Sequence, residues 1–181
     1  AGADILITIS LCMIVKNEEA VLARCLETVN TLVNEIIVVD TGSEDRTREI
    51  AREYGAKVYE FAWRDDFAAA RNEAFSKASM DYCMWLDADD VITTENQQKL
   101  AELKEHLDKD TDMVMMKYET SRDAAGNPLF SYERERLIRN GRGFRWEGRV
   151  HEAIVPSGKI LHSDIAVTHC KIGPGDGDRN L

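Results

Sequence analysis

The chain has 181 residues, with 23 Lys and Arg against 33 Asp and Glu and a formal net charge of −10. Its 44% hydrophobic and 31% charged residues are the balance of one folded domain, not of a disordered chain. The acidity disfavours nucleic acid, which needs a basic face to displace counterions, and also disfavours docking on anionic lipid.

The four cysteines, Cys12, Cys25, Cys83 and Cys170, lie in apolar surroundings and form no C-x-x-C pair. That argues for buried free thiols in a reducing compartment over a zinc cage or redox pair. The apolar run Ile5 to Val15 is interrupted by Thr8 and Ser10 and is too short to span a bilayer. It lacks a preceding basic region, so a signal peptide is not expected and the chain is placed in the cytoplasm.

Leu6–Val15 reads as a strand buried on both faces. Asn17 then caps a helix that sets Val21, Leu22, Cys25, Leu26 and Val29 at helical spacing. A second strand, Ile36–Val39, ends at Asp40, and Thr41-Gly42-Ser43 turn into a helix stopped by Gly55. Val58–Phe61 forms a third strand, and Asp66 caps a helix through Phe75. Tyr82–Leu86 is a fourth strand ending in Asp87-Ala88-Asp89-Asp90, and Thr94 with Gln97 forms a capping box for a helix burying Leu100, Leu103 and Leu107. This order predicts an α/β fold with a mostly parallel sheet and helices on both faces.

After Asp112 the pattern changes to strands at Met113–Tyr118, Leu129–Tyr132, Arg136–Ile138, Val150–Val155 and Ile165–Thr168. Turn formers at Gly126-Asn127-Pro128 and Asn140-Gly141 make this a mixed or antiparallel extension of the sheet. One domain over 1–181 is expected, in two halves, 1–111 and 112–172, with a tail (173–181).

Ligands of open parallel sheets sit beyond the carboxyl ends of the strands. Here those ends carry Lys16-Asn17-Glu18, Asp40 and Asp87-Ala88-Asp89, a convergence that outweighs the capping role any one of them could fill. Three crowded carboxylates in Asp87-Ala88-Asp89-Asp90 repel unless a cation compensates them, and a hard divalent cation prefers oxygen ligands. A calcium EF-hand starting at Asp87 is excluded, because Val91, Ile92 and Gln98 stand where an oxygen ligand, Gly and Glu are required.

Ser10 to Glu19, Val39 to Thr47, Ala70-Arg71-Asn72 and Trp85 to Asp90 together resemble family 2 glycosyltransferases of the GT-A fold. The likeness is to a bacterial branch often fused to tetratricopeptide helices. It implies a nucleotide-sugar donor, most simply a UDP-sugar, and a Mg²⁺ or Mn²⁺ cofactor. On that resemblance Asp40 accepts from the nucleotide base, while Val15, Lys16, Asn17 and Glu18, with Gly42 and Ser43, frame base and ribose. Asp87, beside Ala88, faces the ribose or a metal-bound water, and Asp89 binds the metal with His169 as a further ligand. Arg71 is either a cation near the diphosphate or a helix-surface residue paired with Asp66 or Glu73.

The resemblance further implies an inverting reaction with Glu152 as general base, Asp90 as the fallback and Glu147 as a third choice. The acceptor is unspecified: a saccharide, a lipid-linked sugar or a peptide. Trp63-Arg64-Asp65-Asp66 resembles a segment found near the donor sugar. Trp146 and Phe144 are either core residues or a sugar-stacking pair. Arg134, Arg136, Arg139, Arg142, Arg145 and Arg149 read by default as a solvated hairpin face balanced by Glu133, Glu135 and Glu147. Two other functions compete. A sugar nucleotidyltransferase needs a Gly-rich phosphate loop where this chain has Lys16-Asn17-Glu18-Glu19, and a non-catalytic nucleotide-sugar-binding module would bind donor without transfer.

Overall fold

The computed structural model describes residues 6–170. In chain order these form β1 (Ile9–Val15), α1 (Leu22–Val29), β2 (Glu35–Asp40), α2 (Thr47–Glu53), β3 (Lys57–Glu60) and α3 (Phe67–Ser76). There follow β4 (Tyr82–Trp85), β5 (Asp90–Val91), α4 (Thr94–His106), β6 (Met113–Arg122), β7 (Pro128–Arg139) and β8 (Ile160–His169). The expected tail, 173–181, lies outside the described residues.

One eight-stranded sheet runs in the order β3-β2-β1-β4-β7-β6-β8-β5. The first four strands, β3-β2-β1-β4, are parallel, as the alternation of strands and helices predicts. The second half is mixed: β7 is antiparallel to β4 and β6, whereas β8 runs parallel to β6. Alternating residues of β1 divide the core. Ile9, Leu11, Met13 and Val15 pack with Leu22, Cys25, Leu26 and Leu100 from α1 and α4, while Cys12 on the opposite face packs with Ala74 of α3. All four cysteines are free and buried. Among the described residues no helix is long and apolar enough to cross a membrane.

Several local expectations are corrected. Asn17 does not cap α1; it sits at φ 54° in the chain leaving β1, and α1 starts at Leu22. The Thr94–Gln97 capping box does not form. Thr93 is the N-cap, its hydroxyl accepts from Asn96, and the Gln97 amide donates to the Ile92 carbonyl. The two strands expected at Leu129–Tyr132 and Arg136–Ile138 are one continuous β7. Val150–Val155 is not a strand: Val150 and Val155 are exposed, and pairing is limited to a Glu147–Ala153 bridge.

The arginine cluster is a solvated face only in part: Arg142, Arg145 and Arg149 are exposed and Arg134 and Arg139 half-buried, but Arg136 is not. Arg136 is fully buried, with its guanidinium 3.7 Å from the Trp85 ring centroid and 4.3 Å from that of Tyr118. It donates to the Trp85 carbonyl and pairs with Asp90 at 3.3 Å. A planar guanidinium stacks on aromatic faces where a strongly hydrated ammonium would not.

Buried Glu35, at the start of β2, gathers Ser10, Ser79 and Lys57 around its carboxylate. Burial alone would raise its pKa, but the hydrogen bonds from Lys57, Ser79 and Ser10 pull it down to about 2. The stabilisation is therefore present above the unfolded-state value, about 4.3, and is lost as pH falls toward 2. Thermal melts between these pH values should show a loss of stability that is flatter in Glu35→Gln; an unchanged slope contradicts the assignment. Arg136→Met should cost roughly 3–5 kcal/mol in denaturant titration, because it leaves Asp90 buried without its cation. Adding Asp90→Leu should recover part of that loss, and a purely additive double variant contradicts the pairing.

Candidate active site

The carboxyl ends of β1, β2 and β4 open into a cleft of about 360 Å³. Its walls include Val15, Lys16, Glu18, Thr41, Arg71, Asp87, Ala88, Asp89, Glu152 and His169. Sequence reasoning had named all of these but Thr41. Its other walls are Ile14 and an apolar lip of Trp63, Phe67 and Val150.

Asn17, Asp40, Gly42 and Ser43 do not line the cleft but support it. The Asp40 Oδ1 accepts from the Gly42 and Ser43 amides at 3.0 and 2.9 Å, which folds the turn after β2 and places Gly42 at φ 123°. Asp40 Oδ2 is buried with no hydrogen-bond partner among the described residues. The turn then zips onto the exit of β1. The Asn17 amide donates to the Ser43 hydroxyl, the Glu18 amide to the Thr47 hydroxyl, and the Glu44 amide to Asn17 Oδ1, at 2.8–2.9 Å. These bonds hold Lys16 and Glu18 toward the cleft.

The acidic turn after β4 separates into distinct environments. Asp90 is fully buried: its Oδ1 accepts from the Tyr118 hydroxyl at 2.6 Å, and its Oδ2 from the Asp87 amide at 2.8 Å and from Arg136. Asp87 instead faces the cleft and takes a 2.8 Å hydrogen bond from Arg71. Burial opposes ionisation of Asp87, but Arg71 and, behind it, Arg136 and Arg134 outweigh burial and hold the carboxyl below its usual range. Asp89 is part-exposed and lies 3.4 Å from His169 Nδ1.

β5, too short to announce itself in the sequence, brings that histidine into place. Its pairing with the end of β8 puts Asp90 opposite His169. The Tyr118 hydroxyl also meets His169 Nδ1 at 3.1 Å. Hydrogen bonds to Asp89 and Asp90 push the imidazolium up to about 10. Glu18 is raised, first by burial and then by the charges of Asp89 and Asp87. The negative field that holds a proton on His169 is equally suited to a divalent cation.

Asp89, Asp90 and His169 place donor atoms within 4.8 Å of one another. Because Asp90 already serves Tyr118, Arg136 and the Asp87 amide, the open donors are Asp89 and His169. One carboxylate and one imidazole, with further positions for ligand oxygens, fit Mn²⁺ or Mg²⁺.

Arg71 joins the two sides of the cleft. It is buried on α3 between the rings of Trp85 and Trp146, at 4.7 and 5.0 Å from their centroids. Its Nη2 donates to Asp87 and its Nε to Glu152 Oε1 at 2.9 Å. Neither Asp66 nor Glu73 is its partner; Asp66 caps α3 by accepting from the Ala69 amide. The neighbouring Asn72 clasps the Trp146 backbone, donating to its carbonyl and accepting from its amide at 3.0 and 2.8 Å. That fixes the loop carrying Glu152. Gly148 in this loop has φ +95°, and a side chain there would meet the His151 carbonyl at 3.0 Å. Trp146 is 2% exposed and packs on Trp85 and Phe75, so it is core and not a stacking platform. Glu147 is exposed, and its backbone pairs with Ala153.

Sequence reasoning missed Tyr118, Arg136 and the lip residue Phe67. A tyrosine and an arginine within polar-looking strands carry no local sign that the sheet will bury them against an aspartate.

The sequence model of Glycosyl transferase family 2 matches residues 10–166. A TPR repeat-containing protein of Synechococcus elongatus is 41% identical over 147 residues, 81% of this chain; the chain spans only 35% of that relative's length. The crystal structure of Staphylococcus aureus TarS 1-349 in complex with UDP-GlcNAc is similar with a TM-score of 0.66 at 19% identity, over 96% of this chain and 62% of that one. The glucosyl-3-phosphoglycerate synthase from Mycobacterium tuberculosis, in complex with Mn²⁺ and UDP-glucose, is similar with a TM-score of 0.51 at 24% identity, over 62% of this chain and 44% of that one. With a cleft at the carboxyl edge of a GT-A sheet and a family match over nearly all the described residues, the chain belongs to glycosyl transferase family 2.

Proposed function

We propose that this chain is the catalytic part of an inverting, metal-dependent transferase that moves a hexosyl or N-acetylhexosaminyl group from a UDP-sugar to an acceptor hydroxyl. The observation that carries the reading is the Arg71 bridge. It couples a carboxylate of the donor-side acidic turn, Asp87, to a second carboxylate, Glu152, across one cleft. The complexes of the two structural neighbours, one with UDP-GlcNAc and one with Mn²⁺ and UDP-glucose, support the choice of donor and ion.

Val15, Lys16 and Glu18 frame base and ribose, and Asp40, behind the cleft wall with its Oδ2 buried and unpartnered among the described residues, would accept a base N–H only where the base reaches past that wall. Asp89 and His169 would hold Mn²⁺ or Mg²⁺. Such an ion, when bound, neutralises the charge that develops on a departing diphosphate. Glu152 is the general base: its Oε1 is held by Arg71, and its Oε2 makes no hydrogen bond among the described residues. The acceptor oxygen attacks the anomeric carbon, the bond from that carbon to the diphosphate oxygen breaks on the opposite face, and the hydroxyl proton passes to Glu152 Oε2. Arg71 keeps Glu152 aimed. Asp90 is assigned to positioning and not to base catalysis, because each of its oxygens is occupied in the core.

Isothermal titration should show UDP binding strengthened by Mn²⁺, with the strengthening abolished in Asp89→Ala. A variant that still responds fully to Mn²⁺ contradicts the ligand assignment. Glu152→Gln should lower kcat by about 10²–10⁴-fold while leaving UDP affinity nearly unchanged. A near-native rate would remove Glu152 as the base.

A further inference from the structure

His169 has two ring nitrogens, and their surroundings differ. Its Nδ1 faces inward: the Tyr118 oxygen lies 3.1 Å away, Asp89 Oδ1 3.4 Å and Asp90 Oδ1 3.6 Å. The Tyr118 hydroxyl has a single proton, and its 2.6 Å contact with Asp90 Oδ1 places that proton. Two oxygens this close, one of them a carboxylate's, are held together by the hydrogen between them. The Tyr118 oxygen therefore meets His169 as an acceptor. Surrounded by these three acceptors, Nδ1 carries a hydrogen whether the ring is neutral or cationic. Nε2 makes no hydrogen bond among the described residues, and His169 forms part of the cleft wall.

Tyr118 is fixed firmly enough to impose this choice. It stands on β6, paired with Tyr132 of β7 on one side and Val167 of β8 on the other. Its buried ring meets Tyr132 edge-on at a centroid separation of 5.8 Å and His169 edge-on at 6.0 Å, with the Arg136 guanidinium 4.3 Å from its centroid. A ring packed by three neighbours keeps its hydroxyl in one place. A cation at Nδ1 would displace that hydroxyl, and with it the hydrogen bond that Asp90 Oδ1 accepts. A cation at Nε2 disturbs neither. Metal-bound histidines commonly donate their other ring N–H to a fixed acceptor, which sets the tautomer and the orientation of the ring. Tyr118 is that acceptor here, and Asp90 holds it in the accepting state.

We infer that Tyr118 is a positioning residue for the candidate metal site: its oxygen, made an acceptor by Asp90, keeps a proton on His169 Nδ1 and leaves Nε2 to bind the cation. The inference rests on the metal assignment of the transferase reading. Long-range ¹H–¹⁵N correlation spectra of the chain, labelled at its four histidines, test it directly. UDP is saturating, Mg²⁺ is added as the diamagnetic cation, and the His169 signals are those missing from His169→Gln. In the wild-type chain Mg²⁺ should shift Nε2, while Nδ1 keeps the signature of a protonated nitrogen. In Tyr118→Phe the two tautomers should mix. The Mn²⁺ affinity of the UDP-bound variant should fall about tenfold to a hundredfold, with UDP affinity in EDTA within about twofold of wild type. That retained UDP binding also shows that the variant has folded. Tyr132→Phe, which removes a hydroxyl from the ring beside Tyr118, should match the wild-type chain in both readings. A Mg²⁺ shift on Nδ1, wild-type Mn²⁺ affinity in Tyr118→Phe, or an equal loss in Tyr132→Phe would each overturn the inference. A wild-type chain that binds UDP but shows no Mg²⁺ effect at His169 would instead overturn the metal assignment, and the role of Tyr118 with it.

Discussion

The buried pair of Asp90 and Arg136 is the constraint on which the site depends. Three neighbouring carboxylates at the end of a strand would repel one another and fray. Here Asp90 turns inward instead, takes hydrogen bonds from Tyr118, Arg136 and the Asp87 amide, and so fixes the turn. With Asp90 anchored, Asp87 and Asp89 emerge at defined places on the cleft wall. The desolvation cost of Asp90 is offset by this dense bonding, and that of Arg136, whose Nη1 alone is hydrogen-bonded among the described residues, by its stacking on Trp85 and Tyr118. Such a pair contributes a single arrangement of the turn more than it contributes net stability.

The same turn fixes the far end of the sheet. Asp90 pairs with His169 across β5 and β8, so a residue almost eighty positions downstream arrives beside Asp89 because of the strand pairing that Asp90 begins. On the opposite wall, Arg71 performs the corresponding service for Glu152. The site is thus held by two arginines with different tasks. Arg136 lies beneath the acidic turn and holds it down, and Arg71 lies across the cleft and aligns its two sides.

The parallel half of the sheet and its polar strand ends were legible in the sequence, because fully buried strands write themselves as unbroken apolar runs ending abruptly in Asp40 or Asp87. The candidate site was legible as a set of residues for the same reason. What each residue does was not. Asp90 and Asp89 are neighbours of one type, and only the sheet's closure onto Tyr118 and Arg136 decides which is buried. The expected solvated arginine face failed at Arg136 because arginine, unlike lysine, is stable when stacked between aromatic rings, and no local pattern reports that the rings will be there. Asn17 was misread for a related reason. Its side chain serves a neighbouring loop 27 residues away, not the helix that follows it.

The division of the acidic turn into a structural Asp90 and a cation-binding Asp89 is the central claim, and anomalous diffraction from crystals grown with Mn²⁺ and UDP tests it most directly. The account predicts a manganese peak coordinated by Asp89 and His169 and by diphosphate oxygens, with Asp90 still bonded to Tyr118 and Arg136. A peak coordinated by Asp90 after loss of those bonds, or one that leaves Asp89 and His169 untouched, would contradict it.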